Sequence, residues 1–178
     1  MNKLGFGYLR LPRINPEDEK SINYELLNQM TDAFLAGGRS YFDTAYTYLG
    51  GLSEHALKKC LVERHPRASF RIADKMPTWK VKKQADLRLF FEEQKQRCGV
   101  DFFDVYLLHS LNRENYETAE KFEMFSFLQE VRASGEAKKI GFSYHDSPDL
   151  LDEILTKHPC VDYVQLQINY LDWHSPSL

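Results

Sequence analysis

The stretch from Tyr41 to Glu54 reads Y-F-D-T-A-Y-T-Y-L-G-G-L-S-E. It opens as a short apolar strand and breaks at Asp43. A loop with Tyr46, Tyr48 and the Gly50-Gly51 pair follows, and a helical pattern starts near Leu52. Two other polar residues stand at similar breaks. Lys75 ends the strand-like R-I-A-D-K, and His109 ends D-V-Y-L-L-H. Asp43, Lys75 and His109 thus close three separate strand-like segments. In a parallel α/β barrel such ends converge on one face, where these folds place their chemistry.

The rest of the chain repeats the same alternation. Leu4 to Leu9 mixes glycine with large apolar residues and reads as a first strand, and Ser40 to Phe42 as a second. Between them Ile22, Leu26, Leu27, Met30, Phe34 and Leu35 recur at helical spacing until Gly37-Gly38. Leu52 to Arg64 is helical, with Ser53 expected as its N-cap and Glu54 favourable near the positive end of the helix dipole. Phe70 to Ala73 is a third strand, Val81 to Cys98 a helix, and Phe102 to Leu108 a strand buried on both faces. Ala119 to Ala133 is helical, Lys139 to Phe142 a strand, Ser147 to about Lys157 a helix opened by Pro148, and Tyr163 to Ile168 a sixth strand. Longer loops are expected after strands one and four. Six strands alternating with five helices argue for parallel pairing through right-handed crossovers in a single domain, residues 1–178.

Composition narrows the function. A net charge of −3 argues against a nucleic-acid binder, which usually carries a basic face. No uncharged apolar run approaches the ~20 residues needed to span a bilayer, and Met1-Asn2-Lys3 leads straight into L-G-F-G, so a cytoplasmic protein with no membrane partner is expected. Cys60, Cys98 and Cys160 form no Cys-x-x-Cys pair, which favours reduced thiols and no metal site. Taken singly, each polar residue has a bland explanation. Asp43 could cap a loop, Tyr48 be one of ten tyrosines, Lys75 a solvated strand-end lysine and His109 a satisfied core histidine.

Taken jointly, these residues make the sequence similar to the aldo-keto reductases. The resemblance covers essentially the whole chain through L-G-F-G-Y-L-R-L-P, F-D-T-A-Y-T-Y-L-G-G-L-S-E, A-D-K-M-P, G-V-D-F-F-D-V-Y-L-L-H, K-K-I-G-F-S-Y-H-D and V-Q-L-Q-I-N-Y. The first and fifth segments resemble the bacterial subgroup whose members often carry an iron–sulfur region near the C-terminus, a region this sequence lacks. The resemblance implies a TIM-type (β/α)8 barrel, α/β in class, that uses NADPH or NADH to reduce a small carbonyl substrate. Tyr48 matches the family's general acid, Asp43 and Lys75 its tuning pair, and His109 the residue that orients the carbonyl. Ser143 and Gln165 match residues that hydrogen-bond the nicotinamide carboxamide. Tyr144 stands where many members have asparagine, so the cofactor contact there differs. Asp74 stands where relatives often have a small or hydroxylated residue and could compete for the lysine ammonium.

A (β/α)8 barrel usually needs about 250 residues. The chain therefore reads as C-terminally truncated, an incomplete barrel of about six parallel strands. In the family the remaining part holds the adenosine phosphate, so weak cofactor binding is expected. Two open sheet edges, at Leu4–Leu9 and Tyr163–Ile168, are expected to invite self-association, with Leu4, Phe6, Tyr163, Leu166 and Ile168 short of partners.

The implied chemistry is coherent. A free tyrosine has a pKa near ~10, and a neighbouring ammonium lowers it. Asp43 would hold Lys75, and His109 would stabilise charge on the substrate oxygen. Tyr46 competes for the acid role, but Tyr48 has the family's offset from Asp43. Two alternatives stand beside the reductase. One is a catalytically silent reductase-fold scaffold or binding protein that holds cofactor poorly. The other is a metal-dependent barrel hydrolase, for which no His-x-His set appears.

Overall fold

The computed structural model describes residues 3–170. Its six strands form one sheet whose spatial order follows the chain: β1 Gly5–Gly7, β2 Tyr41–Asp43, β3 Arg71–Met76, β4 Phe103–Leu111, β5 Ala137–Tyr144 and β6 Tyr163–Leu166. β1 pairs with β2, β2 with β3, and β5 with β6, each in parallel. The helices are α1 Tyr24–Ala36, α2 Leu52–Leu57, α3 Ala85–Cys98, α4 Arg113–Lys121, α5 Met124–Ala133 and α6 Pro148–Lys157. Consecutive strands lying side by side with a helix between them is the order of a (β/α)8 barrel, and six of its eight strands are present.

The described chain divides into two compact units. Among the described residues, one is 3–74 with 91–104, and the other is 75–90 with 105–170. In the first, the rings of Phe6, Tyr8, Phe34 and Phe42 meet with centroids 5.1–6.2 Å apart, mostly edge to face or tilted. Such pairs add about 0.5–1.5 kcal/mol each beyond their burial. Phe6 therefore has partners in α1 and β2, contrary to the expectation for it. α1 starts where the Asn23 side chain accepts a bond from the Leu26 amide at 3.0 Å.

Several expected boundaries shift for local reasons. α3 begins at Ala85 rather than Val81, because the Asp86 carboxylate takes the Lys82 and Lys83 amides at 2.9 and 3.1 Å and closes a capped turn first. The segment after the fourth strand is a helix, α4, rather than a loop. Its N-cap Asn112 accepts from the Asn115 amide at 2.8 Å. The single helix expected from Ala119 to Ala133 is broken at Glu123, whose φ of 53° is left-handed, so α4 and α5 are separate. α2 is capped by Gly51, φ 94°, and not by Ser53. α6 is capped by Ser147 with Pro148 in its first turn, as its sequence indicates.

In the second unit residues 105–111 of β4 are nearly all buried, and α5 lays Met124, Phe125, Phe127, Leu128 and Val131 inward. β5 carries a glycine where the chain needs one. A Cβ on Gly141 would lie 1.9 Å from the Tyr163 carbonyl oxygen, so only glycine lets β6 pair there.

Candidate active site

The first unit places Asp43 at the last position of β2, half-buried, with its carbonyl accepting from the Tyr8 amide at 2.8 Å. Thr44 follows, and its amide bonds the Ala73 carbonyl at 2.9 Å. The Thr44 hydroxyl donates to the Ser53 Oγ at 2.7 Å, since the Ser53 hydroxyl itself donates to the Tyr8 carbonyl at 2.9 Å. Ser53 is fully buried, so its hydroxyl ties β1, β2 and α2 together instead of capping a helix. Tyr48, half-buried, opens a tight turn in which Leu49, Gly50 and Gly51 all have positive φ, at 52°, 65° and 94°. Glycine adopts such angles freely, but at Leu49 they cost about 1–3 kcal/mol, a strain that the surroundings must hold.

The surroundings are a polar cluster whose members sequence reasoning did not bring together. Glu54 is completely buried. Its Oε1 accepts from Gln94 Nε2 at 3.0 Å and its Oε2 from an Arg97 guanidinium nitrogen at 3.1 Å. Arg97 also bonds Glu93 Oε1 at 2.5 Å, and the Tyr46 hydroxyl donates to Glu93 Oε2 at 3.1 Å. Burial pushes the Glu54 carboxyl up, against the pull of Gln94 and Arg97. Beside it the buried Cys98 thiol contacts Asp74 Oδ2 at 3.5 Å, and burial and then the Asp74 charge push that thiol well up. Glu54, Asp74 and Cys98 bring ligand-capable atoms within 4.8 Å of one another. Arg97 and Gln94 already occupy both Glu54 oxygens. Asp74 sits among these groups on β3. Neighbouring strand residues point to opposite faces, so Asp74 and Lys75 face opposite sides of the sheet. The spacing of Glu93 and Arg97, four apart near the end of a helix, was the one sequence signal for this cluster.

In the second unit Lys75 is 1% exposed on β3, which runs one residue past it to Met76. His109 is 8% exposed within β4, which continues to Leu111 rather than ending at the histidine. Burial, then the Lys75 charge, then His145 hold the His109 imidazole down to about 3, so it is neutral through the physiological range. The Trp79 ring lies against it, 5.2 Å between centroids. After His109 the backbone turns at Ser110, φ 59°, whose amide donates to Ser143 Oγ at 2.7 Å and whose carbonyl accepts from Asn115 Nδ2 at 2.7 Å.

Ser143, 4% exposed on β5, is in register with Gln165 on β6. Ser143 keeps its O–H to donate, because its oxygen is the acceptor in the bond from Ser110. Gln165 Oε1 is buried and accepts no bond among the described residues. A neighbouring donor and an unfilled acceptor fit a primary amide such as the nicotinamide carboxamide. Tyr144 is different. Its hydroxyl donates to the Ser147 carbonyl at 2.6 Å, and its ring meets Phe142 edge-on, so its polar end serves its own turn. No helix among the described residues is long and apolar enough to cross a membrane.

A sequence profile of the Aldo/keto reductase family matches residues 3–177. A solved structure of an aldo-keto reductase from Bacillus halodurans, in its holo form, superposes with a TM-score of 0.71 at 23% identity, over 93% of this chain and 53% of that one. A thermostable aldo-keto reductase in complex with the inhibitor epalrestat gives 0.70 at 26% identity, over 95% and 59%. An aldo-keto reductase from Klebsiella pneumoniae in complex with NADPH gives 0.61 at 20%, over 83% and 47%. The chain thus spans about half to three-fifths of the length of these structures. Its strand order is that of their TIM-type barrel, here incomplete. By that match along its length, the chain belongs to the aldo/keto reductase family.

Proposed function

We propose that this chain carries the proton-handling part of an NAD(P)H-dependent reductase of aldehydes or ketones. The observation that carries the reading is the pairing of a buried lysine with a buried, neutral histidine, Lys75 and His109, two residues of one unit on neighbouring strands. A neutral imidazole can donate a hydrogen bond to a carbonyl oxygen without delivering a proton, which suits it to orient and polarise the substrate. Ser143 and Gln165 would hold the carboxamide end of the cofactor by one donated and one accepted bond. Bound NAD(P)H would supply the hydride.

Carbonyl reduction leaves negative charge on oxygen, and Tyr48 O–H is the donor that neutralises it. Lys75 favours loss of that proton by stabilising the phenolate, and Asp43 fixes the lysine. What joins Asp43 and Tyr48 of one unit to Lys75 and His109 of the other is the family pattern of the sequence. Tyr46 is set apart by the bond of its hydroxyl to Glu93. Binding of NADPH by the 178-residue polypeptide is proposed to be weak, because Ser143 and Gln165 address the nicotinamide end and the family's adenosine-phosphate contacts have no match in this sequence.

The test is a fluorescence titration with NADPH, followed by aldehyde-dependent NADPH oxidation at the highest cofactor concentration reached. Binding weaker than the micromolar range with measurable turnover supports the reading. Binding without turnover of any aldehyde or ketone favours the silent scaffold, and no binding at millimolar cofactor removes the reductase reading for this polypeptide.

A further inference from the structure

We infer that Arg97 is a positioning residue for Tyr48, acting through the turn that carries it; the inference deepens the reductase reading. Tyr48 lies between Tyr46 and Gly51, and Arg97 reaches both ends of that span. Its guanidinium carbon sits 4.1 Å from the centre of the Tyr46 ring, and one of its nitrogens would be 3.7 Å from a Cβ placed on Gly51. The same guanidinium bonds Glu54 at 3.1 Å, in the helix that follows the turn, and Glu93 at 2.5 Å, which in turn accepts from the Tyr46 hydroxyl. Arginine suits this place because its planar fork serves two carboxylates while its face stacks on a ring. Lysine offers a single point of charge. The turn needs such a clamp, since three successive residues hold positive φ and one of them is Leu49. Glu54 is completely buried, and Arg97 brings a positive charge to its Oε2 while Gln94 takes its Oε1.

A residue acting only on global stability would move every segment alike. A clamp moves this turn. The experiment compares amide hydrogen exchange of residues 44–54 and steady-state kinetics in wild type, Arg97→Lys, Arg97→Gln and Glu93→Gln, each checked for folding by circular dichroism. Arg88→Gln is the control, because Arg88 pairs with Glu130 and Glu136 on the other unit. In Arg97→Gln, exchange across 46–51 is expected to rise about tenfold or more while β3 is unchanged, with kcat down about tenfold or more and KM within about threefold. Arg97→Lys should recover only part of this, and Glu93→Gln should give a smaller change in the same direction. Should Arg97→Gln fail to fold, Arg97→Lys and Glu93→Gln carry the test. Unchanged exchange across 46–51 in the folded variants overturns the inference, as does raised exchange with wild-type kcat. If wild type reduces no carbonyl, the reductase reading fails by itself, and the exchange result still decides whether Arg97 holds the turn.

Discussion

At the residue scale, the site is defined by which side chains are denied water. His109 is the clearest case. Its folded value, about 3, lies below the ordinary 6.5, chiefly through burial and then the Lys75 charge. The unfolded chain therefore takes up this proton more readily than the folded one. Stability from His109 is fully present above pH 6.5 and is lost as pH falls through that value toward 3. Denaturant unfolding of wild type and His109→Gln across pH 7 to 4 should show wild type losing more stability on acidification, and parallel curves would refute a neutral buried imidazole. The rate of a reductase using this group should show no limb near pH 6.5 assignable to His109. Much of this was legible in the sequence, since Asp43, Lys75 and His109 stand at or within a residue or two of apolar strand ends. Glu54 and Arg97 were not, because burial of a charged pair depends on contacts forty-three positions apart in the chain.

At the element scale, periodicity located all six strands and the principal helices, because alternation and helical spacing are properties of contiguous sequence. The misplaced boundaries are where a side chain outcompetes the helix for backbone groups, as Asp86 does before α3, or where one residue turns left-handed, as Glu123 does between α4 and α5. Two predictions belong here. Ser147→Ala removes the N-cap of α6 and should cost about 1 kcal/mol in denaturant unfolding without changing the fold. Gly141→Ala should destabilise more, because its methyl would meet the Tyr163 backbone at 1.9 Å and force β5 and β6 apart. A wild-type midpoint for Gly141→Ala would show that the two strands do not pair as described.

At the scale of the whole molecule, the order of six strands with their helices is that of a (β/α)8 barrel, and the polypeptide's association is open to measurement. β1 and β6 each pair on one side only among the described residues, and Leu4, Tyr163 and Leu166 are 57%, 38% and 40% exposed. Unpaired strand edges beside apolar side chains favour pairing with another chain. We propose that the 178-residue polypeptide self-associates at these edges; light scattering should find a dimer or larger species, and a stable, cooperatively folding monomer would contradict it. The proposed proton donor in carbonyl reduction is Tyr48. The direct test is the rate of aldehyde-dependent NADPH oxidation in wild type, Tyr48→Phe and Tyr46→Phe, with folding verified for each. Loss of a single hydroxyl at position 48 should lower the rate about a hundredfold or more, while Tyr46→Phe should retain most of it. Equal rates for wild type and Tyr48→Phe would contradict the account.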